Sequence, residues 1–179
     1  YYNYKQGNSF RPNSEFDSQN AYAFLNYDFS KKTAMSFEVS YLKYLAKQPG
    51  GLTDTQFNLN PNFSNRTRNW FEVDWKLYAL KLEHQFSKKT DFSLNLFALD
   101  ASRKAVGFRG NPISLNTNPL KDDEVRDNQG NYTVTRDLIL GNFNNWGAET
   151  RLLSRYNLLN TKAVFLIGAK YYNATNDAR

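Results

Sequence analysis

Apolar and polar residues alternate along most of this chain, and short polar turns interrupt the alternation. The pentapeptide FSKKT occurs at 29–33 and again at 86–90, each time between two alternating segments. A third short turn, LNTK at 159–162, separates another such pair. Because a period of two residues is typical of a half-buried strand, the pattern predicts three β-hairpins. Their strands cover residues 21–29 and 35–41, 71–77 and 92–98, and 146–156 and 163–171.

The alternation is imperfect in the second hairpin. Near Ala79 the apolar phase switches to Leu80 and Leu82, and Phe97 with Leu99 makes the next strand apolar on both faces. A β-bulge would explain the phase switch. Packing against something inside the sheet would explain both features, and the sequence leaves the two explanations open.

The connections between hairpins are much longer than the turns within them. Residues 43–69 and 102–144 link successive hairpins. Structureless connections of this length are uncommon in compact soluble domains. Short turns alternating with long loops are typical of outer-membrane barrels, whose short turns lie on the periplasmic side. The strands also reach the ~9–11 residues that a tilted crossing needs. The pattern therefore predicts an all-β, antiparallel transmembrane β-barrel segment with FSKKT as a periplasmic turn.

Six strands are too few to close a barrel. An open edge in lipid leaves unpaired backbone groups, and single-chain barrels begin at about 8 strands. We therefore expect these strands to belong to a larger barrel, with segments 1–17 and 173–179 as exterior loops. Aromatic residues near the predicted strand ends are candidates for the girdles at the lipid headgroups: Tyr27, Phe29, Trp70, Tyr78, Phe86, Trp146, Tyr156 and Tyr171.

Composition excludes several classes of protein. Aromatic residues make up 16% of the 179 residues, yet the mean hydropathy is -0.71, and no stretch has the ~18 apolar residues of a membrane helix. Cysteine is absent, which excludes disulfides and thiolate chemistry. No signal peptide is recognisable after Tyr1, so either one was removed or the chain is an internal piece.

The net charge of +6 does not indicate a nucleic-acid partner. Lys31, Lys32, Lys88 and Lys89 stand in the two repeated turns, and the other basic residues are mixed with acidic ones. A nucleic-acid surface gathers basic residues on one face among stacking rings. No binding of nucleic acid is therefore expected.

Five segments carry a family resemblance: QPGGLTD at 48–54, RTRNWFEVDW at 66–75, RDLI at 136–139, GAETRLLSRYNL at 147–158 and GAKYY at 168–172. In order and approximate spacing they resemble the barrel of TonB-dependent receptors, particularly the ferric-dicitrate-like branch. The resemblance implies that residues 1–179 are part of one barrel domain of about 22 strands in the outer membrane of a Gram-negative bacterium. It also implies a plug domain, which is not in this chain, and import of a ferric chelate such as ferric citrate or a siderophore, driven by the TonB–ExbB–ExbD complex.

Two other functions remain open. A barrel of the same kind would serve as a receptor for oligosaccharide or peptide if it worked with a surface lipoprotein. A structural or adhesive β-protein would not transport at all. The sequences of the plug and of partner proteins would separate the two receptors. Fractionation of the intact protein with outer membranes would distinguish both from the structural protein.

Basic residues lie in or beside the two long connections. Arginine donates paired hydrogen bonds to carboxylates, which suits an anionic chelate. The alternative, which we favour, is that they pair with acidic neighbours such as Asp54, Asp74 and Asp137 and hold the loops in place. The candidate ligand-binding residues are Arg66, Arg68, Arg103, Arg109 and Arg136, with Lys104 beside them.

Charged residues within the predicted strands are expected to line a polar lumen and to contact the plug. These are Glu38, Glu72, Asp74, Lys76, Glu149, Arg151 and Arg155.

Neither a metal site nor a catalytic site is expected. The acidic cluster Asp122, Asp123, Glu124 and Asp127 lacks the spacing of a calcium loop, and no cofactor is predicted. The single histidine, His84, lies two residues before a turn, which argues against a Ser-His-Asp triad and hence against an enzyme. Just after the acidic cluster, EVRDNQGNYTVTR predicts a hairpin with its turn at 127–130.

Overall fold

The chain forms an antiparallel sheet in which each strand pairs with its neighbours in sequence. The computed structural model describes residues 1–108, 126–133 and 135–179. In this part of the chain the sheet has seven strands, with β1 and β7 at its two edges. The predicted all-β antiparallel barrel segment is therefore confirmed. The elements are β1 Tyr2–Gly7, β2 Phe16–Ser30, β3 Thr33–Lys47, α1 Asp54–Leu59, β4 Trp70–Ser87, β5 Thr90–Phe108, β6 Arg136–Leu158 and β7 Thr161–Ala178.

About six strands were expected and seven are present, and the prediction of exterior loops at 1–17 and 173–179 was wrong at both ends. Strand β1 lies in the first of these segments, and β7 continues to Ala178 in the second. Both stretches are too polar to show an apolar alternation. Their backbones nevertheless complete the hydrogen-bonded ladders of β2 and β6. Pairing with a neighbouring strand outweighs a weak local pattern, because strand propensity depends strongly on context.

The repeated pentapeptide folds the same way twice. Ser30 Oγ accepts a hydrogen bond from the backbone N–H of Lys32 at 3.1 Å, and Ser87 Oγ accepts one from that of Lys89 at 3.1 Å. The strand register shifts just before each serine, so each copy forms a bulged turn. The strand ends at which these turns lie are called the turn end of the sheet, and the opposite strand ends are called the loop end.

The strand register sorts side chains onto two faces. One cross-strand row joins Leu25, Phe37, Leu80, Leu96, Ala148 and Tyr171. The row beside it joins Asn26, Ser36, Lys81, Asn95, Glu149 and Lys170. Since neighbouring residues of a strand point to opposite faces, these rows define an apolar face and a polar face across the sheet. We name them the Leu80 face and the Ser36 face.

The phase switch in β4 does not come from a bulge. Pairing between β3 and β4 is continuous from Trp70 to His84. Leu80 and Leu82 therefore lie on the Leu80 face, whereas the apolar run from Phe71 to Leu77 lies on the Ser36 face near the loop end. Along β4, the apolar residues thus lie on the Ser36 face near the loop end and on the Leu80 face closer to the turn end.

Phe97 also lies on the Ser36 face, where it fills the space above a glycine. It pairs with Gly147, and a Cβ on that glycine would stand 2.8 Å from Phe97 Cε2 and closer still to Cζ. The Phe97 ring stacks on Tyr172 with the ring centroids 6.2 Å apart. Packing on the Ser36 face thus accounts for the apolar residue that broke the alternation.

Almost none of the sheet is buried. Among the described residues, the buried apolar side chains are Ala46, Val73 and Ala101. Large apolar residues such as Leu25, Phe165 and Ile167 are at least half exposed. An apolar surface of this extent requires a cover that is not part of this sheet. Within the described residues, no helix has the length and apolar character needed to cross a membrane.

Candidate functional site

The loop end carries a hydrogen-bonded core that joins the loop at 8–15 to the loop at 48–69. Arg11 donates from Nη2 to the carbonyl of Gly50 at 2.8 Å and from Nε to the carbonyl of Phe63 at 3.0 Å. Asn13 donates from Nδ2 to the carbonyl of Gln48 at 3.0 Å and also to that of Arg66. Burial lowers the pKa of the Arg11 guanidinium, but arginine remains protonated in proteins. We call this cluster the loop core.

Local sequence explains why the loop at 48–69 has structure. Thr53 caps α1: its side chain accepts a hydrogen bond from the backbone of Gln56, and the Gln56 side chain accepts one from the backbone of Thr53. This reciprocal pair satisfies two backbone donors that the start of a helix leaves open. Gly50 has φ +81, a conformation that glycine adopts without a steric cost. The loop is therefore built from specific turns and caps.

Arg66 lies inside this loop core. Its exposure is 6%, and the adjacent Ser64 and Asn65 are also buried. Arg66 Nη1 donates to the carbonyl of Asn65 at 2.9 Å. A side chain in this position supports the loop, and it would reach a ligand only if the loop opened. The bond goes to a backbone carbonyl, and both ligand binding by Arg66 and its pairing with an acidic neighbour stay predictions.

Arg68 joins two loops through an aromatic ring. Its guanidinium carbon lies 3.9 Å from the centroid of the Tyr132 ring, and that of Arg126 lies 3.9 Å from the same centroid. Arg126 also donates to the Tyr132 hydroxyl. Two cations therefore share one ring between the loop at 48–69 and the segment at 126–133. We call this arrangement the tyrosine clasp.

The predicted turn at 127–130 is confirmed. Arg126 forms a β-bridge with Tyr132, and Gly130 has φ +87. Asp127 Oδ1 accepts hydrogen bonds from the backbone N–H of Asn131 at 2.8 Å and of Gln129 at 2.9 Å. These bonds, the one from Asn131 above all, lower the pKa of Asp127. The turn thus holds Tyr132 in place through a charged side chain.

The remaining candidate arginines are dispersed. Arg103 is exposed in β5 on the Ser36 face, with its guanidinium carbon 5.9 Å from the centroid of the Phe71 ring. Arg136 is half-buried at the start of β6. Arg109 lies outside the described residues, as do Asp122, Asp123 and Glu124. Arg68, Arg103 and Arg136 are therefore described candidates on three separate elements toward the loop end.

The charged residues predicted to share one lumen surface do not share a face. By the strand register, Glu38, Glu149, Arg151 and Arg155 lie on the Ser36 face. Glu72, Asp74 and Lys76 lie on the Leu80 face, near the loop end. The prediction of a single surface was wrong because it took the apolar run of β4 as continuous with that of β3. The uninterrupted register puts the two runs on opposite sides.

Ion pairs connect charged residues on both faces. On the Ser36 face Glu149 pairs with Arg151 and, at 3.8 Å, with Lys170. On the Leu80 face Lys104 Nζ lies 3.2 Å from Glu72 Oε1, and Lys76 Nζ lies 3.3 Å from Asp74 Oδ1. These carboxylates thus have cationic partners within the sheet, and such exposed pairs contribute little to stability.

The histidine lies far along the sheet from the loop end. His84 Nδ1 is 2.8 Å from Thr33 Oγ1, next to the first FSKKT turn. Its ring contacts that of Phe86 with the centroids 4.6 Å apart. In the described part of the chain, no group of acidic residues and histidine is arranged to hold a metal ion.

Three residues of this site were missed from the sequence. Arg11 and Asn13 lie in a short polar segment without periodicity, and nothing local indicates that they reach the carbonyls of a distant loop. Arg126 precedes the recognised turn, so its position opposite Tyr132 follows from the hairpin register. That signal was present in the sequence and could have identified it.

The sheet has the fold of part of a solved transporter. The chain superposes on the crystal structure of the ferric citrate transporter FecA in the unliganded form with a TM-score of 0.75, over 99% of this chain and at 17% sequence identity. It spans 23% of the length of that transporter. No family model and no curated protein matches the sequence. The likeness shows the fold, a segment of a transporter-like β-barrel.

Proposed function

We propose that this chain is part of the barrel of an outer-membrane receptor of a Gram-negative bacterium that actively imports a bulky nutrient. The proposed nutrient is a ferric chelate such as ferric citrate or a siderophore. The proposed energy source is the TonB–ExbB–ExbD complex, acting through a plug domain. The observation that carries the proposal is the superposition of 99% of the chain on a ferric citrate transporter.

The two faces of the sheet support a membrane location. Leu25, Phe37 and Leu80 form one row on an apolar face, and Asn26, Ser36 and Lys81 form the adjacent row on a polar face. A barrel wall between lipid and a polar lumen needs this alternation. In this proposal the Leu80 face contacts lipid, the Ser36 face lines the lumen, and the turn end lies in the periplasm.

The loop end supports an anionic ligand. With the turns in the periplasm, the tyrosine clasp and Arg103 lie at the outer end of the barrel. Arg68 and Arg126 bring two positive charges to one ring, and Arg103 is exposed on the lumen face. Guanidinium groups attract carboxylate-bearing ligands and form paired hydrogen bonds with them.

Uptake of radiolabelled ferric citrate by cells producing the full-length receptor tests the proposal. We expect uptake that requires functional TonB and that falls in the Arg103→Ala variant. The matched control is Lys31→Ala, which removes the same charge at the turn end. Equal uptake with and without TonB would contradict active transport. Binding of an oligosaccharide or peptide together with a surface lipoprotein, with no ferric chelate bound, would support the alternative receptor.

We also propose that this segment is not an enzyme. A Ser-His-Asp triad needs a histidine between a nucleophile and a carboxylate. The single histidine instead lies beside Thr33 at the turn end, away from the arginines of the tyrosine clasp. Hydrolysis of ester substrates by the purified receptor that is lost in His84→Ala would overturn this proposal.

A further inference from the structure

The Leu80 face has an apolar groove of about 290 Å³ across β4, β5 and β6. Strand register explains why a depression forms there: Ala98 stands between Tyr78 and Trp146 in one row, and Ala148 stands beside Leu96 in the next. Two alanines surrounded by larger side chains leave room above the backbone. Phe37 and Leu80 close the groove on the β3 side.

A second groove of about 290 Å³ lies on the same face and is polar. Lys76 Nζ stands 3.3 Å from Asp74 Oδ1 and 3.4 Å from Asp100 Oδ2 at its side. The Asp100 carboxylate remains 60% exposed. Ser102, Asn142 and Asn144 add hydroxyl and amide groups. This groove therefore offers both hydrogen-bond donors and hydrogen-bond acceptors.

The two grooves are adjacent. The row of Lys76, Asp100 and Asn144 follows the row of Tyr78, Ala98 and Trp146 on the same face. Two residues along a strand span about 7 Å. One amphipathic molecule could thus place an apolar chain in the first groove and its polar group in the second.

The side chains of the polar groove favour one kind of polar group on the bound molecule. Asp74, Asp100 and Asp177 line the polar groove together with Lys76, and Arg179 pairs with Asp177 at 3.4 Å, so the groove keeps an excess of one carboxylate. A bare phosphate would be repelled by this excess of negative charge. Sugar hydroxyls donate hydrogen bonds to carboxylates and both donate to and accept from amides. Trp146 stands in the row next to the polar groove, and its ring centroid lies 5.1 Å from that of Tyr171, which pairs with Ala148. The two rings present an amphipathic surface beside the acyl groove.

We propose that the two grooves together form a site for an acylated saccharide, with its acyl chain against Ala98 and Ala148 and its sugar against Asp100 and Asn144. The site rests on the proposed outer-membrane location, which turns the Leu80 face to lipid. Because the polar groove lies on the loop-end side of the apolar one, the occupant is a glycolipid of the outer leaflet. It would hold this part of the barrel at a defined depth in the membrane.

Lipid retention by the full-length receptor tests the site. The receptor is placed in phosphatidylcholine nanodiscs that contain a small fraction of one test lipid. The test lipid is either dephosphorylated lipid A, which is an acylated glucosamine disaccharide, or phosphatidylglycerol. Native mass spectrometry then counts the retained lipid. We expect preferential retention of the disaccharide lipid, reduced about fivefold in Ala98→Leu because the added side chain occupies the acyl groove. Asn144→Ala should weaken retention of the disaccharide about threefold, through a lost hydrogen bond, and leave phosphatidylglycerol unchanged.

The matched control is Ala23→Leu, the same substitution at an exposed position on the same face but outside the groove. Ala148→Leu fills the groove from β6 and serves if Ala98→Leu folds poorly. Equal retention of the disaccharide lipid by the native protein, Ala98→Leu and Ala148→Leu would overturn the proposal. Retention of phosphatidylglycerol as strong as that of the disaccharide lipid would also overturn it.

Membrane fractionation and ferric citrate uptake in the cells that produce the receptor separate this inference from the proposed function. A receptor that fractionates with outer membranes and takes up ferric citrate but shows no lipid preference contradicts only the glycolipid site. A receptor that does not fractionate with outer membranes contradicts the proposed function itself.

Discussion

The guanidinium carbon of Arg68 lies 3.9 Å from the centroid of the Tyr132 ring, so two loops that are far apart in sequence meet at one aromatic side chain. Arg126 lies at the same distance from that centroid. The contact joins the loop core to the hairpin that follows the segment outside the described residues. The loop end is therefore held by side chains from several connections, and each can be tested separately.

Removing the ring of the tyrosine clasp should free the loops. An exposed cation–π contact is worth about 0.5–1 kcal/mol, so Tyr132→Leu should speed cleavage of the loops by proteinase K about two- to fivefold. Tyr132→Phe keeps the ring and loses only the hydroxyl that accepts from Arg126, so cleavage should increase less than in Tyr132→Leu. Equal cleavage in native protein and Tyr132→Leu would show that the clasp does not restrain the loops.

Charge should be tolerated on one face of the sheet and not on the other. Phe37→Arg places a cation on the proposed lipid face and should lower the free energy of unfolding in bilayers by about 2–4 kcal/mol. Ser36→Arg, one residue away on the other face, should cost far less. Urea titration of the full-length barrel in phospholipid vesicles measures both. Similar costs for the two variants would invalidate the proposed orientation.

The two ends of the sheet should be accessible from different sides of the membrane. Asn128→Cys lies in the exposed turn at the loop end and should react with an impermeant thiol reagent on whole cells. Lys32→Cys lies in an FSKKT turn and should react only after the outer membrane is opened. The chain has no native cysteine to interfere. Labelling of Lys32→Cys alone on whole cells would reverse the topology.

Glycine is required at one of two adjacent positions in the loop core. Gly50 has φ +81, and a Cβ there would stand 2.5 Å from Arg66 Cγ, whereas nothing lies within 4 Å of a Cβ at Gly51. Backbone strain of this kind costs about 1–3 kcal/mol. Gly50→Ala should therefore increase cleavage of the loop at 48–69, and Gly51→Ala should not. Cleavage of both Gly50→Ala and Gly51→Ala at the native rate would contradict the described packing around Gly50.

The hairpin at 126–132 should loosen in acid. Hydrogen bonds from the backbone, first that of Asn131, lower the pKa of Asp127 in the folded turn. A lowered pKa means that the carboxylate stabilises the turn above the ordinary value of about 3.9, and that this contribution is lost as the pH falls through the lower, folded value. A spin label at Asn128→Cys should become more mobile below about pH 4. In Asp127→Asn, which cannot titrate, the label mobility should show no such transition.

Local chemistry was sufficient to predict much of this fold. The alternation at 35–41 and 92–98, the two FSKKT turns and the turn at Asp127 were confirmed. Each depends on residues that are close in sequence: a period of two specifies a strand, and serine or aspartate bonds its own turn. Strand β1 was missed because its partner β2, rather than its own pattern, holds it in place.

Tertiary structure alone decided which side chains share a surface. Alternation predicts that each strand has two faces, but only the pairing register aligns the faces of neighbouring strands, and it put Asp74 and Glu149 on opposite sides. It also decided which arginine is buried. Arg66 and Arg68 are two residues apart, yet the first lies in the loop core and the second on Tyr132. Their surroundings come from segments distant in sequence, so no local pattern could distinguish them.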